Sequence, residues 1–582
     1  MPTKKSVYEI FQTMDTSDTD KTQENVEHKE WLKNFRKTDI HPETTDENVG
    51  FDSSSWKLMM KKIVSSIEVN WEFLAYVLNE TLFNIEDSKE IVTVFRKDLN
   101  FYFGMSDGFF YIQGQESVDL HVSEKDLFIL GRLIAPLLIA GYVIYIYPIH
   151  TSVLPYLAAI GHLITKAGVP KGIKYILKSD SQASNDPTRF VIGADITTHY
   201  CPMIIFDDAD LYSALDCLVD SALRFNGMLY WSITHVYIQE SVFDNFVTKV
   251  QDLSRRMPQI MLLGCNQLDK LKDNMESKIL KLFIGWDPRD LELNLNLRMA
   301  ASVLPFRTND EVISLVNSQN IACTASIWTE KISVANHVSR SLKIGTIWIN
   351  SHGNIDPKVP FESFSESHLP LNGAQILEYI SSLIKLNTTE STIQITENKN
   401  VHYSKSVEEA VNHCQRGYEL LTSFDDKTIK ELLDLIVNAG LSQSNIPLSS
   451  SSNEDAVYHV SSKMDVLCFS SSYKVVMVLF PTEDVPLNIC LKIIYHLIET
   501  RNAIIICGVA SRLKDFSLGL PPEIITLLDI KNYNKCNEHN KRIGKIFNIY
   551  FKNFGKISKD LGNSICLNSI FKGKKSIWMP TY

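Results

Sequence analysis

One stretch limits what this chain can fold into more than any other. Residues 127 to 176 read helix, strand, helix, strand. The first helix ends in APLLIAG, the strand is YVIYIYP, the next helix is LPYLAAIGHLITKAG, and VPKG leads into IKYIL. Strands that alternate with helices at this spacing need crossover connections, so a parallel sheet is expected. The middle of the stretch, Leu133 to Tyr147 (LIAPLLIAGYVIYIY), is wholly uncharged. It is shorter than the roughly 20 residues a membrane helix requires. Pro136 and Gly141 also divide it. It reads as a helix, a turn at Gly141 and a buried strand from Val143 to Tyr147.

The pattern returns near the other end. DLFILGRLIAPLLIAGYVIYIYP at 126 aligns without gaps on PLNICLKIIYHLIETRNAIIICG at 486. Leu127, Ile129, Ile134, Leu137, Ile144 and Ile146 recur as Leu487, Ile489, Ile494, Leu497, Ile504 and Ile506, and Lys492 answers Arg132. Matches at one fixed offset point to a repeated unit. A chain of 582 residues has room for two to four domains. The second copy is shorter and ends in a lysine-rich tail, KSIWMPTY.

Composition narrows the class. Charged residues make up 22% and hydrophobic residues 45%, as in an ordinary globular protein. The net charge of -10 argues against a general nucleic-acid binder. The basic region from Lys531 to Lys575, with its FNIYFKNF, reads as a solvated face rather than a nucleic-acid site. Ten cysteines lie scattered, with no CxxC and no Cys/His pair at zinc spacing. That pattern fits a reducing compartment. The start, MPTKKSVYEI, lacks an apolar signal core, so a cytoplasmic location is expected. Residues 1 to 50 are polar and acidic and could not build a core alone. From Trp56 the pattern turns helical, with Leu58, Ile63, Val64, Ile67 and Trp71 on one face, and a second helix follows around Asp87 to Phe103.

The run from Cys201 to Val250, CPMIIFDDADLYSALDCLVDSALRFNGMLYWSITHVYIQESVFDNFVTKV, resembles the catalytic core of the aldehyde dehydrogenase superfamily. There a strand reading "SPFIVFDDADL" leads through a helix to "NxGQxC", whose cysteine is the nucleophile, and on to "RIYVQESIYDEFV". Pro202, Phe206 to Leu211, Gly227, Tyr237, Gln239, Glu240, Ser241, Asp244 and Phe246 match. VLPFRTNDEVISLVNSQNIACTASIWTEKISVANHVSRSLKIGTIWIN is similar to the family's "VLPFxxxDEAIxLANxxxYGLAASVWTxDxxxAxRVAxxLxxGTVWVN". One such unit followed by a truncated second copy resembles aldehyde dehydrogenase family 16. The implied fold is α/β. A reduced Rossmann-like parallel-sheet domain (51–202) precedes a catalytic-type α/β domain (203–370). A linker (371–403) and a truncated second unit (404–582) follow, and 1–50 is a tail.

The resemblance also says which positions should carry chemistry. Aldehyde oxidation needs a thiolate nucleophile, a base for water, oxyanion donors and a nicotinamide. Counting without gaps from Gly227, or back from Tyr237, puts Tyr230 at the nucleophile. A phenol with a pKa near 10 replaces a thiol poorly. Its neighbours Met228, Leu229 and Trp231 read with it as packing residues. The base of "ELGGKSP" falls on Ile196, with Asp195 one residue off, and the oxyanion asparagine falls near Glu124. The cofactor lysine and glutamate of "KPSE" read Tyr147 and His150, and the glutamate of "EIFGP" reads Leu295. The stretch from Leu177 to Ile192 lacks the Gly-rich turn that receives a pyrophosphate. Cys201, at a strand head, and Cys217, on a helix, read as structural thiols, and His150, His199 and His235 show no metal spacing.

Two functions follow as expectations. The first is a catalytically inactive homologue, without cofactor, that serves as a dimerising scaffold for protein partners. The alternative is an NAD(P)-dependent aldehyde dehydrogenase with a non-standard site. Superfamily members dimerise through sheet extension and helix packing, so a homodimer is implied, and neither nucleic acid nor membrane is an expected partner.

Overall fold

The first described elements are three packed helices, α1 (Ser53–Val69), α2 (Trp71–Thr81) and α3 (Ile85–Gly104). The computed structural model describes residues 53–104, 117–140, 143–167, 175–177, 190–192, 200–263, 279–285, 299–318, 324–359, 361, 402–404, 406–438, 456–461, 464–472, 474–479, 487–507, 520–528, 545–548 and 572–580. The helical run expected through Trp71 breaks at Asn70, whose side-chain amide donates to the Ser66 carbonyl at 2.8 Å. An asparagine that captures a backbone carbonyl competes with the next turn of helix. Ile63 and Ile67 are buried as expected, but Leu58 is 59% exposed. The α3 start is capped reciprocally: Asp87 N–H donates to Asn84 Oδ1 and Asn84 Nδ2 to Asp87 Oδ2, both at 2.8 Å.

Next comes a small sheet. Strand β1 (Ser117–Val122) leads through a 3₁₀ turn (Glu124–Ile129) into α4 (Leu130–Ala140), β2 (Val143–Pro148), α5 (Leu154–Lys166), β3 (Tyr175–Leu177) and β4 (Phe190–Ile192). Its order is β3-β2-β1-β4, with every pair parallel. The uncharged run is a helix and a strand, as its sequence implied. Val118, Leu120 and Val122 on β1 and Ile144 and Ile146 on β2 are fully buried. Among the described residues no helix is long and apolar enough to cross a membrane.

The chain then builds β5 (Pro202–Ile205), α6 (Leu211–Leu223), β6 (His235–Gln239), α7 (Glu240–Arg256), β7 (Ile260–Leu263), β8 (Leu280–Ile284), β9 (Ala300–Phe306), α8 (Asn309–Ser318), β10 (Thr324–Trp328), α9 (Ile332–Ser341) and β11 (Thr346–Ile349). The remaining elements are β12 (His402–Ser404), α10 (Val407–Ser423), α11 (Asp426–Asn438), β13 (Ala456–Ser461), β14 (Met464–Ser472), β15 (Val475–Leu479), α12 (Leu487–Glu499), β16 (Ala503–Cys507), β17 (Ile525–Leu528), β18 (Lys545–Asn548) and β19 (Lys572–Pro580). A ten-stranded sheet runs β13-β14-β19-β11-β10-β5-β6-β9-β8-β7, and a five-stranded parallel sheet runs β12-β17-β16-β15-β18.

Two expectations change here. The supposed linker to 403 ends in strand, since His402 and Tyr403 pair with Thr526 and Leu527. More importantly, the segment after 404 does not keep to itself. Strands β13, β14 and β19 extend the sheet that β5, β6, β10 and β11 build, with β19 parallel to β11 and antiparallel to β14. The lysine-rich tail is therefore sheet, and Lys575, expected on a solvated face, is 3% exposed. One hydrophobic cluster joins both parts, from Leu74 and Phe95 through Leu137 and Tyr230 to Trp348 and Trp578.

Candidate functional site

The site is built where α6 ends. Asp210 starts that helix: its Oδ1 accepts from the Tyr212 and Ser213 amides at 3.0 and 3.3 Å. The Ser213 hydroxyl and amide hold the Asp210 carboxyl below the usual carboxylate range. After Leu223 the backbone turns through three successive left-handed residues, Phe225 (φ 51), Asn226 (φ 54) and Gly227 (φ 63). Two of the three are not glycine, so the turn must be held from outside. Phe225 N–H donates to Asp87 Oδ2 at 3.0 Å, Asn226 Nδ2 donates to the Leu82 carbonyl at 3.0 Å, and Arg224 pairs with Glu90. At Gly227 a Cβ would come within 2.9 Å of the Met299 amide nitrogen, which only glycine avoids.

That turn delivers Met228, Leu229, Tyr230 and Trp231 into the interior, all buried. The Tyr230 hydroxyl donates to Asp126 Oδ1, and its carbonyl accepts from Thr324 Oγ1 at 3.2 Å. Asp126 lies in the 3₁₀ turn beyond β1, where its Oδ2 also accepts from the Ser123 amide and hydroxyl, both at 2.7 Å. Burial pushes the Asp126 carboxyl above its ordinary pKa, against the pull of the Tyr230 and Ser123 donors. The Trp231 indole meets Phe128 and Phe361 edge-on, with centroids 5.2 and 5.9 Å away. Its carbonyl accepts from His352 Nε2 at 2.6 Å and from Ser221 Oγ at 3.1 Å. Burial holds the His352 ring pKa down to about 4, so the ring is neutral at pH 7 and gives its Nε2–H to that carbonyl.

Two buried carboxyl groups lie beyond β1. In an open parallel sheet, ligands settle beyond the carboxyl ends of strands where the order reverses. In the small sheet that point lies at β1, between β2 and β4. The first residues past β1 include Glu124 and Asp126, both buried, with Glu124 Oε1 accepting from Ser152 Oγ at 2.6 Å. A pyrophosphate wants backbone N–H groups and cations there, and two carboxyl groups oppose it.

The other expected positions divide. Tyr147 is fully buried at the end of β2, stacked on His121 with centroids 4.9 Å apart, and among the described residues its hydroxyl has no hydrogen-bond partner. His150 is exposed in the following turn. Ile196, Asp195, His199, Leu295 and most of the Leu177–Ile192 stretch lie outside the described residues. Cys201, at the head of β5, is buried, and its sulfur accepts from Thr324 Oγ1 at 3.2 Å. The Cys217 thiol, half-buried on α6, is pushed up to about 11 by burial and then by Asp220 and Asp216. Among the described residues no His/Cys/Asp/Glu group is arranged to hold a metal.

Reading the sequence alone passed over Asp126, Ser123, Thr324 and His352. Ser123 and Asp126 had a visible signal, the S-x-x-D of a capping box. Thr324 and His352 had none, because each is about a hundred residues from its partner.

The sequence model of the aldehyde dehydrogenase family matches residues 201–261 and 300–384. A betaine aldehyde dehydrogenase of Vibrio vulnificus is 24% identical over 334 residues, covering 46% of this chain and 65% of the relative. Human retinaldehyde dehydrogenase 3 is 25% identical over 210 residues, covering 31% of this chain and 40% of the relative. This chain thus spans less than two thirds of either relative. A solved betaine aldehyde dehydrogenase from Staphylococcus aureus superposes with a TM-score of 0.48 at 17% identity, over 56% of this chain and 83% of that one.

Proposed function

We propose that this aldehyde dehydrogenase-like chain is a catalytically silent, two-unit protein of the family 16 kind, and that it serves as a scaffold for protein partners. The carrying observation is Tyr230. The residue in the nucleophile's place is a buried phenol whose hydroxyl is committed to a buried carboxyl, Asp126. A nucleophile needs a reachable lone pair as well as an adjacent base; Asp126 accepts the phenol's hydrogen bond, but burial among aromatic side chains keeps the Tyr230 oxygen from a substrate. The two carboxyl groups beyond β1 support the absence of a dinucleotide.

The two-unit reading rests on topology. The order β3-β2-β1-β4 is matched by β17-β16-β15-β18, all parallel. The offset of 360 residues read from the sequence carries the start of β2, Val143, onto the start of β16, Ala503. On this reading the homodimer contact expected from sheet extension cannot use the β11 edge, which β19 occupies. Pairing falls to the outer strands of the ten-stranded sheet, β13 and β7.

The rival is an NAD(P)-dependent aldehyde dehydrogenase, favoured by the names of the relatives. Thermal denaturation with millimolar NAD or NADP separates the two. A cofactor at a hundred times its Kd stabilises the native state by about 2.7 kcal/mol. The expected result is an unchanged Tm and no aldehyde-dependent reduction of either cofactor. A saturable rise in Tm with turnover would replace the scaffold reading with the enzyme.

A further inference from the structure

We propose that the turn from Arg224 to Ser232 is a conformational switch: one body, clamped at the α2–α3 elbow and plugged at Tyr230, that opens locally while the sheet stays closed. The switch is the same whether the chain is a scaffold or an enzyme. Hydrogen bonds draw its bounds. Arg224 N–H donates to the Asp220 carbonyl and closes α6. The Thr234 and His235 amides donate to the Cys201 carbonyl at 3.1 and 3.4 Å, where β6 begins. Between these bounds several amides bond within the segment. Met228 N–H donates to the Phe225 carbonyl at 3.1 Å, Ser232 N–H to the Leu229 carbonyl at 3.0 Å, and Leu229 N–H to Ser232 Oγ at 3.1 Å. A segment bonded in this way moves without breaking the ladder between β5 and β6.

Opposing terms make the segment two-state. Phe225, Asn226 and Gly227 hold left-handed φ angles of 51, 54 and 63°. Phe225, bulky and not a glycine, is strained there, and opening relieves it. Closure is held at two ends. At the elbow Asp87 Oδ2 accepts from Phe225 N–H at 3.0 Å, Asp87 Oδ1 lies 3.6 Å from Arg224 Nε, and the Arg224 guanidinium pairs with Glu90. At the plug Tyr230 donates to Asp126. The 3₁₀ turn that carries Asp126 ties the ends together, because its Phe128 meets both Phe225 and Trp231 edge-on, each with centroids 5.2 Å away. The turn therefore cannot leave the elbow without loosening the plug. The clamp is reached from outside: the Arg224 and Glu90 side chains are 36% and 39% exposed, whereas Tyr230 is 5% exposed. One bistable element biased from both ends carries a change at the surface to a buried hydrogen bond.

Hydrogen exchange of the full chain at pH 7, corrected for intrinsic rates, tests this at the amides of Phe225, Met228, Leu229 and Ser232. In the native protein the four should share one opening constant, larger than that of the β5 and β10 amides. Arg224→Gln, at the exposed end, should raise all four by about two- to five-fold, Leu229 and Ser232 included. Tyr230→Phe, at the buried end, should raise all four by about ten-fold or more, Phe225 included. Neither variant should raise the β5 amides by the same factor. Four different native constants, an effect of either variant confined to its own end, or an equal rise at β5 would overturn the switch. If Tyr230→Phe does not fold, the native constants and the surface variant Arg224→Gln still decide it.

Discussion

At position 230 a phenol both fills space and satisfies a buried acid. Tyr230→Phe keeps the ring and removes the donor to Asp126, so it should cost about 1–3 kcal/mol in urea denaturation at pH 7. Because the folded Asp126 pKa is raised, the folded state holds a proton that the unfolded state has lost just above the ordinary aspartate value. Stability from this group therefore grows as pH falls into that window, and the Tyr230→Phe deficit should shrink on acidification. With its pKa near 11, Cys217 is about one part in ten thousand thiolate at pH 7. Iodoacetamide should label it far more slowly than a free thiol, and fast labelling would reopen its claim as a nucleophile. Tyr156 is fully buried, and among the described residues its hydroxyl has no hydrogen-bond partner. Tyr156→Phe should change stability by less than about 1 kcal/mol or raise it, and a large loss by calorimetry would place a bound water or ligand at that oxygen.

At the scale of elements, close approaches and buried pairs set the packing. Gly417 brings α10 against the backbone ahead of β17, where a Cβ would collide with the Glu523 carbonyl and come within 3.1 Å of Ile524 Cα. Gly417→Ala should cost about 3 kcal/mol or more, since backbone on both sides must move. Gly104→Ala, with nothing within 4 Å of its Cβ, is the control and should leave the Tm unchanged or higher. Helices α3 and α4 meet at the buried pair Asp98–Arg132, 3.0 Å apart. Burial outweighs the guanidinium and raises the Asp98 carboxyl. Arg132→Met should cost about 3–5 kcal/mol by chemical denaturation, because it strands a buried acid.

For the whole molecule, the decisive feature is a sheet that two distant parts of the chain share. Removing residues 572–582 takes away the strand between β11 and β14. The expected outcome is a lower Tm and concentration-dependent association by light scattering, because two bare strand edges invite pairing. The same sharing explains what the sequence showed and what it hid. The strand–helix–strand at 127–176 was legible, since buried parallel strands read as short apolar runs. The likeness of the stretch at 486 to the stretch at 126 was legible because its offset is fixed. The pairing of β19 with β11 was not. KSIWMP reads the same on any edge, and nothing in a strand's sequence names its neighbour.

The sequence by itself determined the alternation of elements, the fixed-offset likeness of 126–148 to 486–508, and the presence of a tyrosine at position 230. Those are local properties, written in apolar periodicity and residue identity. Only the tertiary structure decided that Tyr230 donates a hydrogen bond to Asp126, that His352 holds the Trp231 carbonyl, and that Lys575 lies buried beneath α9. Each of these joins residues about a hundred or more positions apart. Pairings of that kind are fixed by which surfaces the folded layers bring together, and no local pattern records them.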